Sequence, residues 1–579
     1  MASCIDRLWI IVFLLFWLVP GVVLAKLLEK KISFLACLKR NVIGYVIFGL
    51  IINLGVSVIF FLIPRPVDEI LRITYLVGGL IWGIILLWRA RHDIRLRVDW
   101  WLLALGMGLL AGQLCFSNQL IFPSNTDSIT HYRYIVQFLN WREEGLGLFE
   151  FIRRLRFYHY GFHLLVSEIH VLSGFAITDI MVSFGTILTV LAPFTVMLPL
   201  ERFGLEKKCQ RWAVFGIALA TLFPGFAQNW GKYPALLSVV LLPLPVSLIL
   251  DMAKNENKSR LTSKIFALML TSILVGLAHW RSLVVLAVIG LAVYFYYDFF
   301  KQRVPVWVLV PMVAGVGYFL LNDRARFNVT GGQVIFWLVL IAIAIGVMVA
   351  RIRQKSPNKL ALSLIMYLGV RLCVEISLAK VMPQFGSLVD MPYFRIVSFI
   401  LAGLFLGSLF DEIRKLHSDF FGTTELKKRY LADLIVLIIA SLLLIAIPVK
   451  RKWTPATAYI MVGAQQKEVV DWALDAYQGQ NMKLLLAGIP LLDYVEYADA
   501  GGWLAEMGGF DVVFAIEPVD LNRADVQSRL CREAVDLIFI DASRHTVFSP
   551  KVMPDQSLYD KLYEAENVRI IAPKCAENN

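Results

Sequence analysis

From Leu8 almost to Pro448 the chain is a succession of apolar stretches of roughly 17 to 25 residues, each long enough to cross a hydrocarbon core ~30 Å thick as a helix. A backbone inside lipid has to satisfy its own hydrogen bonds. The expected fold class is therefore a polytopic α-helical membrane protein, with about 14 transmembrane helices. Composition agrees, since 58% of the residues are hydrophobic and only 17% charged. The first stretch, Leu8 to Ala25, lacks the short apolar core and small-residue cleavage site of a secretory signal and reads as an anchor.

The formal charge of +12 does not point to nucleic acid, because the basic residues are dispersed over short loops and form no groove or stripe. They follow membrane topology instead. Every second loop is basic: Lys26 to Arg40, Arg89 to Arg97, Arg202 to Arg211, Lys254 to Lys264, Lys301 to Arg303, Arg351 to Lys359 and Arg414 to Arg429. Those loops are expected on the cytoplasmic side, with the intervening loops and both termini outside. The loop from Phe122 to Tyr160 is basic yet falls outside by alternation, and its length loosens the rule there. The seven cysteines show no ligand spacing, which argues against zinc or iron–sulfur. Cys531 and Cys575 share one region, where a disulfide and two free thiols are both compatible with the sequence.

Four regions follow. Residues 1–121 supply N-terminal transmembrane helices, 122–175 a long outer loop with amphipathic helices, 176–448 further transmembrane helices, and 449–579 an extracytoplasmic α/β domain. In the last region short apolar runs (458–462, 482–486, 511–515, 536–540 and 568–571) alternate with amphipathic stretches. Neither Gly463-Ala-Gln nor Ala487-Gly-Ile-Pro is a phosphate loop, so no nucleotide site is expected.

The chemistry-bearing residues cluster in the outer loop and the tight turns on its side. Asp127 and His131 lie four apart at the start of a helical pattern and would present a carboxylate and an imidazole from one face; Asp127 also suits a helix N-cap. The loop ends in Phe157-Tyr-His159-Tyr-Gly-Phe-His163. There His163, Ser167, His170 and Gly174 form a polar stripe that suits either a cavity wall, with His163 and Glu168 near Asp127, or a helix lying among headgroups. Lys232-Tyr233 and His279-Trp280-Arg281 occupy turns on the same side. Arg371 and Glu375, four apart in an apolar stretch, read as a structural ion pair. Arg395 lies one turn into the helix that Pro392 opens, where its guanidinium suits either a bidentate phosphate contact or snorkelling. Asn328-Val-Thr330 is a formal glycosylation sequon.

The acidic residue and histidine four apart in the first long outer loop, the segment Tyr158 to His163 followed by Leu172-Ser-Gly174, the Pro392-Tyr-Phe-Arg395 helix start, and in the tail Asp499-Ala-Gly-Gly-Trp503 and Tyr559 to Ile570 resemble uncharacterised prokaryotic members of the GT-C superfamily of membrane glycosyltransferases. The resemblance implies a GT-C-like fold and transfer of a sugar from a polyprenyl-phosphate donor at the outer membrane face to a sugar, lipid or protein acceptor. It implies Asp127 as the catalytic base, with Arg395 and the Arg153-Arg154-x-Arg156 cluster stabilising the departing phosphate. It also implies a divalent metal (Mg2+ or Mn2+) in some relatives, for which Asp127, His131 and His163 are the candidate ligands. Two features depart from better-known members: about four helices precede the loop, and a single Asp127 stands where many carry paired acidic residues. A lipid or oligosaccharide flippase or transporter, and a polysaccharide polymerase or ligase, are the competing functions. The first should show inverted repeats, and none is visible.

Overall fold

A computed structural model of the chain describes residues 4–28, 42–63, 66–90, 99–145, 148–154, 159–220, 228, 230–254, 261–302, 304–305, 308, 311–312, 314–315, 341–348, 359–378, 391–421, 462–487, 500–514, 520–541 and 554–575. The helices are α1 (Cys4–Leu28), α2 (Val42–Phe61), α3 (Val67–Ala90), α4 (Trp100–Ser117), α5 (Thr126–Glu144), α6 (Leu148–Arg154), α7 (Gly161–Ser173), α8 (Ile177–Thr195), α9 (Met197–Arg202), α10 (Lys207–Ala220), α11 (Tyr233–Leu241), α12 (Pro243–Lys254), α13 (Leu261–Ala278), α14 (Arg281–Tyr294), α15 (Lys359–Leu378) and α16 (Met391–Phe421). In the last region lie α17 (Ala464–Tyr477), α18 (Ala500–Gly508) and α19 (Ala524–Arg532).

Among the described residues eight helical spans are long and apolar enough to cross a membrane, fewer than the fourteen expected. Much of 303–358 and all of 422–461, where other apolar stretches fall, lie outside the described residues, as do the sequon and the strand expected at 458–461. The span Ile177–Arg202, which is α8 and α9 end to end, and the span Tyr233–Lys254, which is α11 and α12, are the most enclosed, whereas Val67–Leu86 is the least.

Between helices in lipid, association relies on close packing, and small residues permit it. At the α1·α2·α3 crossing, a Cβ on Gly21 would run into the Gly49 carbonyl oxygen, one on Gly49 would sit 2.7 Å from the Val22 nitrogen, and one on Gly79 would sit 2.5 Å from Pro20 Cβ. The three backbones touch where no side chain fits.

Loops at alternate helix ends gather on opposite sides. At one end, Arg202 pairs with Asp251, which also holds Lys264 at 2.7 Å, while Lys359 reaches Asp411 at 3.6 Å and Arg414 pairs with Glu206. These come from the loops expected on the cytoplasmic side. At the other end, the segments 118–125, 159–160, 228–232 and 279–280 meet one another around α5 and α7.

The last region contains a five-stranded sheet of β1 (Lys483–Ala487), β2 (Asp511–Phe514), β3 (Leu537–Asp541), β4 (Tyr559–Ala565) and β5 (Val568–Pro573), in the order β2-β1-β3-β5-β4. The strands β1, β2 and β3 are parallel, with Leu484 opposite Val512 and Leu537; β5 is antiparallel to β3 and β4. Strand alternation sorts the side chains onto two faces. Leu484, Leu486, Leu537 and Phe539 pack with α17 and α18, and Leu485, Ile538 and Ile540 pack under Leu530 of α19. A disulfide joins Cys531 to Cys575. β4 goes unnoticed in the sequence because Asp560, Lys561 and Glu564 break its apolar run.

Gly49→Leu should force α1 and α2 apart at a point where backbone meets backbone, at ~1–3 kcal/mol of overpacking. The expected result is a lower thermal midpoint of the detergent-solubilised protein, while Gly78→Leu, whose Cβ would meet nothing within 4 Å, leaves it near that of the unaltered chain.

Candidate active site

The entry to α5 is capped by Asn125, at φ 70°, whose side chain accepts from the Asp127 amide at 3.2 Å. Capping is therefore assigned to Asn125. The Asp127 carboxylate instead forms an ion pair with Lys232, the two side chains being 23% and 27% exposed. Lys232 is aimed by a turn bolted to its neighbours. Gln228 donates to Val182 O and Thr186 Oγ1, each at 3.2 Å, and its backbone carbonyl accepts from Ser124 Oγ at 3.1 Å. Gly231, at φ 63°, packs onto the start of α5, where a Cβ would strike Ser128 Oγ and sit 2.8 Å from the Ser124 carbonyl oxygen. Only glycine suits both that dihedral and that space.

One turn along α5, His131 does not share a substrate-facing surface with Asp127. It is buried, with Nδ1 3.0 Å from His163 Nε2. Burial first, and the Lys232 charge second, push His131 down to about 3. Burial and the neighbouring imidazoles likewise hold His163 and His159 well below the usual histidine range. Near neutral pH these rings are thus uncharged, and of His131 and His163 one donates to the other. Tyr233 is buried, stacked on Phe162 with centroids 5.3 Å apart and lodged against Gly185.

A second group adjoins this one. His159 stacks on His279 at 4.2 Å, and His279 stacks on Tyr393 at 3.9 Å, the two ring planes parallel to within 2°. The Tyr393 hydroxyl lies 3.2 Å from Ser238 Oγ and 2.6 Å from Ser282 Oγ. Arg281 places its guanidinium 5.1 Å from the centroid of the Trp280 ring, and its charge and that of Lys232 both bear on His159. Four segments distant in sequence thus bring Asp127, His131, His159, His163, Lys232, Tyr233, His279 and Arg281 into one neighbourhood.

Other candidates lie elsewhere. Arg153 pairs with Glu150, and Arg154 with Glu150 and Glu144, each at 2.8 Å. Glu144 closes α5, seventeen residues and about 26 Å of helix from Asp127, so these arginines do not stand beside the carboxylate. Glu168 pairs with Arg72 in a buried network with Asp68 and Arg142, and does not line a cavity at Asp127. In the polar stripe of α7, His163 and Ser167 are buried, with Ser167 donating to the His163 carbonyl at 2.8 Å, while His170 is part-buried and Gly174 exposed. Arg371 is buried. Arg156 and the side chains of Glu375 and Arg395 lie outside the described residues.

The candidate metal ligands do not converge on one point, since the facing nitrogens of His131 and His163 bond each other and the Asp127 carboxylate goes to Lys232. Among the described residues no group of three His, Cys, Asp or Glu side chains is arranged to hold an ion. Residues that sequence reasoning passed over are Asn125, Gln228, Gly231 and Tyr393. Tyr393 stands two positions before Arg395, in the segment singled out for its arginine. A cleft of about 760 Å³ opens elsewhere, between Trp9, Phe13 and Phe16 of α1, Asp179 and Lys467.

No family model matches the sequence, and no curated protein sequence matches it. Among solved structures the chain is similar to the Archaeoglobus fulgidus oligosaccharyltransferase in its apo form, at 12% identity over 77% of this chain and 70% of that one, with a TM-score of 0.43. It is similar to the archaeal oligosaccharyltransferase AglB from Archaeoglobus fulgidus in complex with an inhibitory peptide and a dolichol-phosphate, at 11% identity over 77% and 70%, with a TM-score of 0.37. It is also similar to the arabinofuranosyltransferase AftD from Mycobacteria, at 12% identity over 83% of this chain but 42% of that one, with a TM-score of 0.45.

Two outcomes follow from the geometry. Gly231→Ala should misplace Lys232 and lower the thermal midpoint, whereas Gly290→Ala, whose Cβ would meet nothing within 4 Å, should be nearly silent. Acid should also destabilise the fold. Because His131 is pushed down to about 3 in the folded chain and titrates near 6.5 when unfolded, the unfolded state takes up the proton first as pH falls. Stability is full above pH ~6.5 and declines below it, by about 2 kcal/mol from His131 at pH 5. Thermal midpoints at pH 7.5 and 5 should differ less in His131→Gln; an unchanged difference would contradict the assignment.

Proposed function

We propose that the chain is a membrane glycosyltransferase, moving a hexosyl or pentosyl unit from a polyprenyl-phosphate-linked donor to a hydroxyl of a sugar, lipid or protein acceptor at the outer membrane face. The observation that carries the proposal is the Asp127–Lys232 pair, a carboxylate and an ammonium about a quarter exposed at helix ends, with Arg281 in the same neighbourhood. The work needed at such a site is twofold. A base takes the acceptor's proton as its oxygen attacks the anomeric carbon, and cations receive the charge that develops on the leaving phosphate. Asp127 fits the first role, Lys232 and Arg281 the second. As the bond from the anomeric carbon to the phosphate oxygen breaks, its electron pair leaves with the lipid phosphate, and the acceptor's proton ends on Asp127.

Exposure supports this choice of residues. A partly exposed ion pair contributes on the order of 1 kcal/mol, so Lys232 can exchange the carboxylate for a phosphate at little cost. The network of Arg72, Asp68, Arg142 and Glu168 has side chains 0–5% exposed, and removing one partner there would cost ~3–5 kcal/mol. That network suits architecture better than chemistry. The outer face is supported by the gathering of basic loops at the opposite helix ends, and by the Cys531–Cys575 disulfide, which suits an oxidising compartment.

The test uses membranes bearing the full chain, a radiolabelled polyprenyl-phosphate sugar and extracted acceptors. Asp127→Asn should lower kcat by about 10²- to 10⁴-fold with little change in donor KM. Lys232→Ala should impair both parameters. Transfer undiminished in Asp127→Asn would remove the proposed base; flux of lipid or solute without any transfer would favour a flippase or transporter.

A further inference from the structure

Helix α5 carries two stripes. Asp127, His131 and Ile135 face the membrane helices, where His131 meets His163, and Ser167 approaches the Ile135 carbonyl at 3.4 Å. Ile129, Tyr132 and Arg133, spaced i, i+3, i+4, face the other way. Ile129 and Phe122 are buried within the core formed by the sheet, α17 and α18, alongside Leu484, Phe539 and Ile570.

The contact centres on α18. Trp503 is fully buried, its ring 5.2 Å from Phe122 and 5.7 Å from Tyr132. One turn further, Glu506 accepts from Arg133 Nε at 2.9 Å. Ala500, Gly501 and Gly502 are buried at the start of α18, so no bulky side chain precedes the tryptophan in that turn. The residues flanking Asp127 and His131 are therefore held by a body that is not part of the membrane bundle.

We infer that Trp503 and Glu506 are positioning residues for Asp127: α18 clamps the first two turns of α5 against the bundle and so fixes where the carboxylate meets Lys232. This rests on the reading of Asp127 as the base, but the clamp has a readout of its own. Neither residue touches the reacting groups. Their effect should appear as misorientation, to which transfer is sensitive, since a displacement of ~1 Å can lower a rate ~100-fold.

In the full-length protein Trp503→Ala should lower kcat at least about tenfold, with donor KM within about twofold of the unaltered value, and Trp503→Phe should restore most of the loss. Glu506→Arg alone should impair turnover, and combining it with Arg133→Glu should restore it, which a merely unfolded sheet region would not allow. Positioning is read without catalysis in Asp127→Cys protein, by the rate of maleimide alkylation at that peptide followed by mass spectrometry. Adding Trp503→Ala should change this rate at least about threefold. Unchanged alkylation together with unchanged kcat would overturn the inference, as would failure of the charge swap to rescue Glu506→Arg. If alkylation shifts as expected while Asp127→Asn retains transfer, the clamp stands and the base assignment falls.

Discussion

Lipid offers a peptide group no hydrogen bond, so irregular backbone is pushed to the ends of the helices, and everything chemical about this chain follows from where those ends meet. The turn from Gln228 to Lys232 shows how far the requirement reaches. Gln228 is completely buried, yet its amide gives both its donors to Val182 and Thr186, and its side-chain oxygen lies 3.3 Å from Thr189 Oγ1. Its backbone carbonyl takes the Ser124 hydroxyl. Gln228, tied at its side chain and its carbonyl, anchors one end of the turn, and Lys232 follows one residue beyond Gly231.

The same constraint separates the charged groups by what they can do. Carboxylates and guanidinia enclosed among helices, such as Asp68 with Arg72 and Arg142, have to remain paired and lock α3 to α5. At the rim, partial exposure screens the Asp127–Lys232 attraction enough that a partner can be exchanged. Four buried histidines nearby, His131, His159, His163 and His279, are held well below the usual histidine range by burial and add no positive charge of their own at neutral pH. Lysine and arginine thus supply the permanent positive field there, and the imidazoles supply packing and hydrogen bonds.

Much of this could be seen in the sequence because hydropathy and charge alternation report on lipid, and lipid dominates the energetics. Topological sidedness alone puts Asp127, Lys232 and His279 on one side of the membrane. Pairing within the neighbourhood could not be foreseen. The i, i+4 spacing of Asp127 and His131 says they share a face, not that one is at the rim and the other sealed against His163. Arg153 and Arg154 are cationic and in the right loop, but Glu150 and Glu144 lie within reach of the same short helix and take them. In the α7 stripe, histidine and serine read as wet because they are polar, whereas α5 meets His163 through His131 and Ser167 through the Ile135 carbonyl.

α5 is the element whose sequence carried more information than a single helical period reveals. Its polar appearance, with apolar residues spread around the whole circumference, suits a helix at a surface if only one core is imagined. It also suits a helix between two bodies, with Ile135 and Phe138 toward one and Ile129 and Tyr132 toward the other. Charge placement distinguishes these cases: Arg133, beside the second stripe, finds its partner Glu506 in a segment more than 370 residues away. A helix held on both sides has little freedom to rotate, because turning one stripe toward its core turns the other away. That mechanical consequence gives a lone carboxylate on its first turn a defined direction without a second acidic residue to help orient it.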